Sequence, residues 1–284
     1  MAGSPTTAPP VIVKLGGSVI TRKREEEHLR PKILHRLAEE LAACGDLPMV
    51  VLHGAGSFGH PGAQRFGLAR PPDEGVAPAQ RARGAAIVAS EVRRLHLTVL
   101  RELVHAGLSP GSIPPATHAM NREGRLESLD PTPFRVVLGA GLTPLSFGDV
   151  VPDQAWGWSI LSGDTMAVSL AAALHVERVV FVSDVPGILE PRTRGRPIAV
   201  PEVTDAVVEQ LRPKGSGPDV TGGIRGKAEA MLAIARLGAD AGLISGLKDG
   251  ELSRAVRGES VYGSWAHGRP RDGPGPGRAR PEPP

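Results

Sequence analysis

The 284-residue sequence contains one cysteine, Cys44. That excludes an internal disulfide and any multi-cysteine metal site, and neither a C-x-x-C pair nor an H-E-x-x-H motif occurs. Aromatic residues make up only 3%, too few for the stacking surface of a nucleic-acid binder, and no dense basic run compensates. The net charge of +3 belongs mostly to the stretch from Gly268, where Arg269, Arg271, Arg278 and Arg280 outnumber Asp272 and Glu282. The body is close to neutral, so no nucleic-acid partner is expected. No apolar run reaches the roughly 18 residues of a membrane span. The N-terminus lacks a basic segment followed by an apolar one, so no signal peptide is expected and the expected location is cytoplasmic.

Glycine and proline are plentiful, at 36 and 28 residues. Part of that excess sits at the ends, and residues 1–10 and 266–284 read as disordered tails that cannot bury enough apolar area to fold. Residues 11–265 are long enough for one large domain or two intimate lobes around a sizeable core. The expected division is an N-terminal lobe of about residues 11–160 and a C-terminal lobe of about 161–265.

Between the tails, short apolar runs alternate with amphipathic stretches. Val11–Leu15, Met49–Leu52, Arg178–Val182 and Ala241–Ser245 read as buried strands. Arg30–Cys44, Ala79–Gly107, Gly163–Leu174, Val203–Leu211 and Gly223–Leu237 read as helices, with Ser162 or Gly163 at the start of the third. Ile113–Thr117 is a short strand candidate, and Glu123–Leu129 a turn or hairpin around Gly124. Thr143–Asp149 reads as a strand running into a turn, and Val256–Val261 as an edge strand. Phe134–Leu138 fits either class. The alternation implies an α/β fold with a mainly parallel, helix-covered sheet. Ligands in such folds bind at the carboxyl ends of the strands.

Glycine-rich loops fall at those ends. Lys14-Leu15-Gly16-Gly17-Ser18 closes the first strand; paired glycines bring backbone N–H groups near an anion, and Lys14 adds a point charge. It is neither a G-x-x-x-x-G-K-[ST] nor a G-x-G-x-x-G motif, and its plainer reading is a tight turn beside a surface lysine. His53-Gly54-Ala55-Gly56-Ser57-Phe58-Gly59-His60 follows the second strand and reads as a second anion loop. His60 could bind a phosphate or exchange a proton there, or be an ordinary loop histidine. Ser162-Gly163-Asp164-Thr165 opens a helix, where Asp164 serves either the helix dipole or the lysines of a site. Ser183–Gly187 is a turn by composition. Asp219–Lys227 opens another helix, with Thr221 as its expected cap and Lys227 one turn in.

Taken together and in this order, KLGGSVITRK (14–23), HGAGSFGHP (53–61), SGDT (162–165), SDVPGIL (183–189) and DVTGGIRGK (219–227) resemble the amino acid kinase superfamily. Within it they are most similar to the isopentenyl phosphate kinases. The resemblance extends from about Val11 to Val261. It implies a three-layer αβα sandwich, ATP and Mg2+ as cofactors, a prenyl monophosphate as acceptor and a homodimer. It further implies that Lys14, Lys23, His60 and Asp164 are catalytic, with Asp164 organising the lysines. Lys14, Gly16, Gly17, Ser18, Ala55, Asp184, Gly187, Gly222 and Lys227 would meet the nucleotide. Gly54, Gly59, His60, Ser162 and Gly163 would meet the acceptor, and no side chain is assigned as a metal ligand. Two positions depart from the family pattern: Ala55 stands where glycine is usual, and Arg22 where an acidic residue is more familiar. The acceptor tail is expected in an apolar pocket lined from 79–103, 113–120 and 134–146, with Ala85, Ala86 and Ala89 leaving room. A fosfomycin-type kinase of small phosphonates and a non-catalytic nucleotide sensor of the same fold are the alternatives.

Overall fold

The computed structural model describes residues 8–22, 27–73, 77–189, 198–211 and 223–268. The two expected tails lie mostly outside these residues.

A seven-stranded sheet forms the middle of the molecule. Its strands are β1 (Val11–Leu15), β2 (Met49–His53), β3 (Pro110–Ser112), β6 (Thr143–Phe147), β9 (Arg178–Ser183), β10 (Asp240–Ser245) and β11 (Gly263–Ala266). They are ordered β11-β10-β9-β1-β2-β6-β3. All neighbours are parallel except the β10–β11 pair. A smaller sheet, β5-β4-β7-β8, is built from β4 (Ala119–Arg122), β5 (Arg125–Leu129), β7 (Asp149–Asp153) and β8 (Gly157–Leu161).

The central strands are apolar on both faces, as a helix-covered parallel sheet requires. Successive side chains alternate between two cores. Ile12, Val50, Leu52, Val179, Phe181 and Leu243 pack with Met166 and Leu170 of α6 (Gly163–Leu174) and Met231 and Ile234 of α8 (Gly223–Arg236). Val11, Val13, Leu15, Val51, Val180 and Val182 pack with Leu34, Leu37 and Leu41 of α2 (Pro31–Ala42) and Leu95, Val99 and Leu103 of α4 (Pro78–His105). Helices on both faces give the expected three-layer αβα sandwich.

Several local expectations change. The predicted strand 113–117 is displaced: β3 ends at Ser112, and Pro115–Thr117 form a single 3-10 turn. Pro114 and Pro115 have no N–H to give a ladder. The predicted edge strand 256–261 is also displaced. Val256 closes the helix α9 (Glu251–Val256), and the edge strand is β11, starting at Gly263 and including Ala266. The ambiguous 134–138 segment lies in the helix α5 (Thr132–Gly139), anchored by fully buried Phe134. Residues 143–149 do not end in a simple turn, because Asp149 begins the β7–β8 hairpin. The hairpin at 123–129 is present, with Glu123 and Gly124 both at positive φ.

The largest correction concerns 53–60. Only Gly54 and Ala55 remain loop, and Gly56–Arg65 is a helix, α3. Pro61 sits inside it without loss, since the carbonyl it leaves unserved, that of Ser57, accepts from Glu27 N–H at 3.2 Å. His60 is therefore a helix residue.

Candidate active site

β1 lies between β2 and β9, and the loops leaving these three strands meet at one end of the sheet. Alternation along β1 sends Leu15 to the α2–α4 side and Lys14 to the α6 side. There the Lys14 Nζ meets the Asp164 carboxylate at 2.6 Å. The Lys227 ammonium, from the second turn of α8, reaches the other oxygen of Asp164 at 2.6 Å. Asp164 thus holds two ammonium groups that would otherwise repel. Both side chains of the Lys14–Asp164 pair are almost wholly buried.

Burial by itself would raise the Asp164 pKa, but the two ammoniums beside it outweigh that and hold the carboxylate well below its ordinary range. Lys14 moves in the opposite sense to most paired lysines. Burial dominates, Asp164 only partly offsets it, Lys227 adds repulsion, and the pKa falls to about 8. The pair is a charged centre held with little surplus attraction, poised to accept further negative charge.

Three glycine-bearing segments interlock around it, backbone against backbone. A Cβ on Gly17 would fall 2.4 Å from Gly56 N, one on Gly54 2.7 Å from Gly17 N, and one on Gly16 2.6 Å from Val182 O. Gly56, at φ +51°, takes the left-handed conformation that opens α3. Gly54 N–H donates to Leu15 O at 2.9 Å and Gly16 N–H to Val182 O at 2.7 Å. A Cβ on Gly163 would lie 3.2 Å from Lys14 Cε, so this glycine leaves the lysine its path.

Side chains complete the lacing. Ser18 Oγ donates to Asp184 at 2.6 Å, joining the loops after β1 and β9. Thr21, absent from the sequence-level site, donates to Gly17 O at 2.7 Å and accepts from Ser57 N–H at 3.0 Å. Its position four residues beyond Gly17, in one helical turn, is the signal that marks it. Ser162 caps α6 by accepting from Thr165 N–H at 3.0 Å. The N-termini of α3 and α6 both start in these loops, Gly54–Ala55 and Ser162–Gly163. Helix N-termini and loop amides of this kind suit phosphate oxygens.

The expected residues do not all converge. Gly187 packs inward, where a Cβ would sit 2.6 Å from Ser264 Oγ and 2.8 Å from Ala199 Cβ. Gly59 is a packing glycine between α3 and α4, its Cβ position 2.9 Å from Val92 Cγ2 of α4 and 2.5 Å from Ala55 Cβ. His60 is half-buried in the middle of α3. Lys23, Thr221 and Gly222 lie outside the described residues.

Two openings flank this centre. A cleft of about 410 Å3 runs between Gly124, Arg125 and Leu126 of the β4–β5 hairpin and Ile160, Leu161, Ser162 and Thr165. A smaller cavity of about 60 Å3 lies beside α3, bounded by Ser57, Pro61, Gly62, Arg65, Phe66 and Glu91 among others. Behind α3 an apolar cluster of Val88, Val92, Phe147 and Val150 is joined by Ala85, with Ala89 packed against it. Ala86, expected to line the acceptor pocket, is exposed on α4 instead. Asp149 ends this apolar region as a buried carboxylate paired with Arg93 at 3.0 Å. Burial raises its pKa to about 6 against the pull of Arg93. Among the described residues no cluster of three or more His, Cys, Asp or Glu side chains could cage a metal ion.

A parallel sheet with phosphate-suited loops at its switch point, and two lysines joined by one aspartate there, defines a phosphotransferase-like centre. The sequence model of the amino acid kinase family matches residues 9–244, and the chain belongs to that family.

Among its relatives, the isopentenyl phosphate kinase of Methanothermobacter thermautotrophicus is 32% identical, covering 91% of this chain and 99% of that protein. The isopentenyl phosphate kinase of Thermoplasma acidophilum is 33% identical, covering 79% and 86%. An X-ray structure of isopentenyl phosphate kinase superposes with a TM-score of 0.78 at 28% identity, covering 90% of this chain and 99% of that one.

Proposed function

We propose that the chain transfers the γ-phosphoryl group of ATP to the phosphate of isopentenyl phosphate, giving isopentenyl diphosphate and ADP. The observation that carries this reading is the Lys14–Asp164–Lys227 triad at the meeting point of the glycine loops, in a chain whose full-length relatives bear that kinase name. An oxygen of the acceptor phosphate attacks the γ-phosphorus. The bond from the γ-phosphorus to its bridging oxygen breaks, and ADP leaves with the electron pair. The attacking oxygen is already ionised, so no strong base is required. Charge stabilisation and alignment provide the catalysis.

Lys14 supports the equatorial oxygens of the moving group, Lys227 the nucleotide phosphates, and Asp164 holds both. Lys23, from outside the described residues, adds a further cation. Gly16, Gly17, Ser18 and Ala55 present the backbone to the nucleotide, and Asp184 borders it. Gly54, Ser162, Gly163 and His60 serve the acceptor phosphate, with Gly59 setting the helix that carries His60. Asp184 and Ser18, whose side-chain oxygens lie 2.6 Å apart, offer the hard oxygen ligands that Mg2+ prefers and would hold it beside the nucleotide. When bound it supplies charge neutralisation. A short hydrocarbon tail would enter by the small cavity beside α3, where Phe66 and Ile87 line the wall. The family resemblance supports a homodimer working in the cytoplasm.

The test is ADP release with isopentenyl phosphate, dimethylallyl phosphate, fosfomycin and acetylglutamate as acceptors. Saturable turnover with isopentenyl phosphate is expected. Activity confined to fosfomycin or the carboxylate would reject the acceptor assignment. His60→Ala should lower kcat/KM for the acceptor by about 10²-fold, as loss of one hydrogen-bond donor to a phosphate oxygen does, with His60→Gln recovering part. Unaltered kinetics in the Ala variant would remove His60 from the mechanism.

The pH dependence follows from Lys14. Its pKa near 8 means the ammonium is present below pH 8 and lost as the pH rises through it. For the free enzyme, kcat/KM for ATP should decline about tenfold per pH unit above that point. Bound phosphates favour the ammonium, so the decline in kcat should begin at higher pH. A kcat/KM flat to pH 10 would contradict the role of Lys14.

A further inference from the structure

Two buried histidines lie directly behind the Gly54–Ala55 loop, and the mechanism above does not use them. His53, fully buried at the end of β2, places Nδ1 3.1 Å from Gly54 O and Nε2 3.1 Å from His96 Nδ1. His96 Nε2 in turn lies 2.7 Å from Ser112 Oγ. Phe147 packs against both rings, with centroids 5.4 Å from His53 and 4.2 Å from His96. The three residues come from β2, α4 and β3, which are distant in sequence.

The direction of this chain follows from elementary hydrogen bonding. Burial lowers the pKa of His53 to about 3 and of His96 to about 4, so each ring is neutral and carries one N–H. The Gly54 carbonyl can only accept, so His53 holds its proton on Nδ1. His53 Nε2 must then accept, which places the His96 proton on Nδ1. His96 Nε2 is left to accept from the Ser112 hydroxyl. One consistent set of tautomers satisfies every ring nitrogen.

The Gly54 carbonyl and the Ala55 N–H belong to one planar trans peptide and point to opposite sides. Ala55 N–H has no acceptor among the described residues. It lies on the side of Gly148 and the start of α6: a Cβ on Gly148 would be 3.9 Å from Ala55 N and 3.3 Å from Gly163 N. We propose that His53, His96 and Ser112 form a positioning relay that holds the Gly54–Ala55 peptide and so aims the Ala55 amide into the phosphoryl-transfer cleft. The proposal rests on the phosphotransfer reading above. It assigns the first histidine of the glycine segment a structural partnership with α4 and β3, and no proton transfer.

The experiment combines ring-nitrogen NMR of the full-length, 15N-histidine-labelled protein with kinetics of His96→Leu and His96→Asn. The wild-type spectrum should show His53 protonated at Nδ1 and unprotonated at Nε2. Leucine removes the donor to His53. Asparagine restores an amide N–H where His96 Nδ1 lies. His96→Leu should lower kcat by about 10–100-fold, the effect of a misdirected group, with KM for both substrates changing less than about threefold. His96→Asn should recover to within about threefold of wild type, and Ser112→Ala, which removes only the donor to His96 Nε2, should leave His53 protonated at Nδ1. A His53 protonated at Nε2, an unchanged kcat in His96→Leu, or equal losses in the Leu and Asn variants would each overturn the relay. Should His96→Leu fail to fold, the spectrum and the Asn variant still decide. Absence of wild-type turnover with isopentenyl phosphate would overturn the functional reading itself, whereas turnover with the wrong tautomer overturns the relay alone.

Discussion

Asp164→Asn should reduce kcat/KM by about 10³-fold, the upper range for losing one preorganised electrostatic element. The side chain keeps its shape, so the effect isolates charge. With the carboxylate gone, Lys14 and Lys227 face each other without a counter-charge. Lys14 is already depressed to about 8 by burial, so it is the group that yields. A buried ammonium stripped of its partner costs about 3–5 kcal/mol, and releasing its proton avoids most of that cost. The fold therefore survives, but a neutral amine meets the phosphates. Steady-state kinetics and thermal unfolding of the same variant check both halves. Retention of a tenth or more of the wild-type kcat/KM would show that the triad is only structural.

The second large effect is expected from a single methyl group. In Gly17→Ala the new Cβ would fall 2.4 Å from Gly56 N and 2.5 Å from Gly56 Cα. Those neighbours are backbone and cannot rotate away, so the loops after β1 and β2 must separate. Overpacking of this kind costs about 1–3 kcal/mol. Displacing the amides by even 1 Å should lower kcat by about 10²-fold. Gly139→Ala is the comparison, because nothing lies within 4 Å of its Cβ position; it should change stability by less than about 0.5 kcal/mol. Full activity in Gly17→Ala would refute the interlocked-loop account.

The sequence spoke most clearly where one local rule governed. The apolar strands Val11–Leu15 and Arg178–Val182 needed only burial on both faces, and Ser162 needed only its capping side chain. The meeting of Asp164 with Lys14 and Lys227 was legible only through the family resemblance, because the residues alone left Asp164 a partner of either its own helix or the lysines. Elsewhere tertiary contacts overrode local composition. Gly56–Arg65 has glycine and proline enough to read as loop, yet it is helical because Glu27 N–H takes up the carbonyl that Pro61 leaves and α4 packs along it. Gly187 reads as a turn glycine, but its need for glycine comes from Ser264, far along the chain. The His53–His96–Ser112 chain had no signal in sequence, since its members meet only once β2, α4 and β3 are assembled.

The most direct test of the central claim is rapid mixing of the enzyme with ATP labelled at the γ-phosphate and with isopentenyl phosphate, quenching within one turnover. The account predicts that the label passes straight to the terminal phosphate of isopentenyl diphosphate, matching ADP formed, with none attached to the protein. Label released as inorganic phosphate, held covalently on the enzyme, or left in ATP would contradict it.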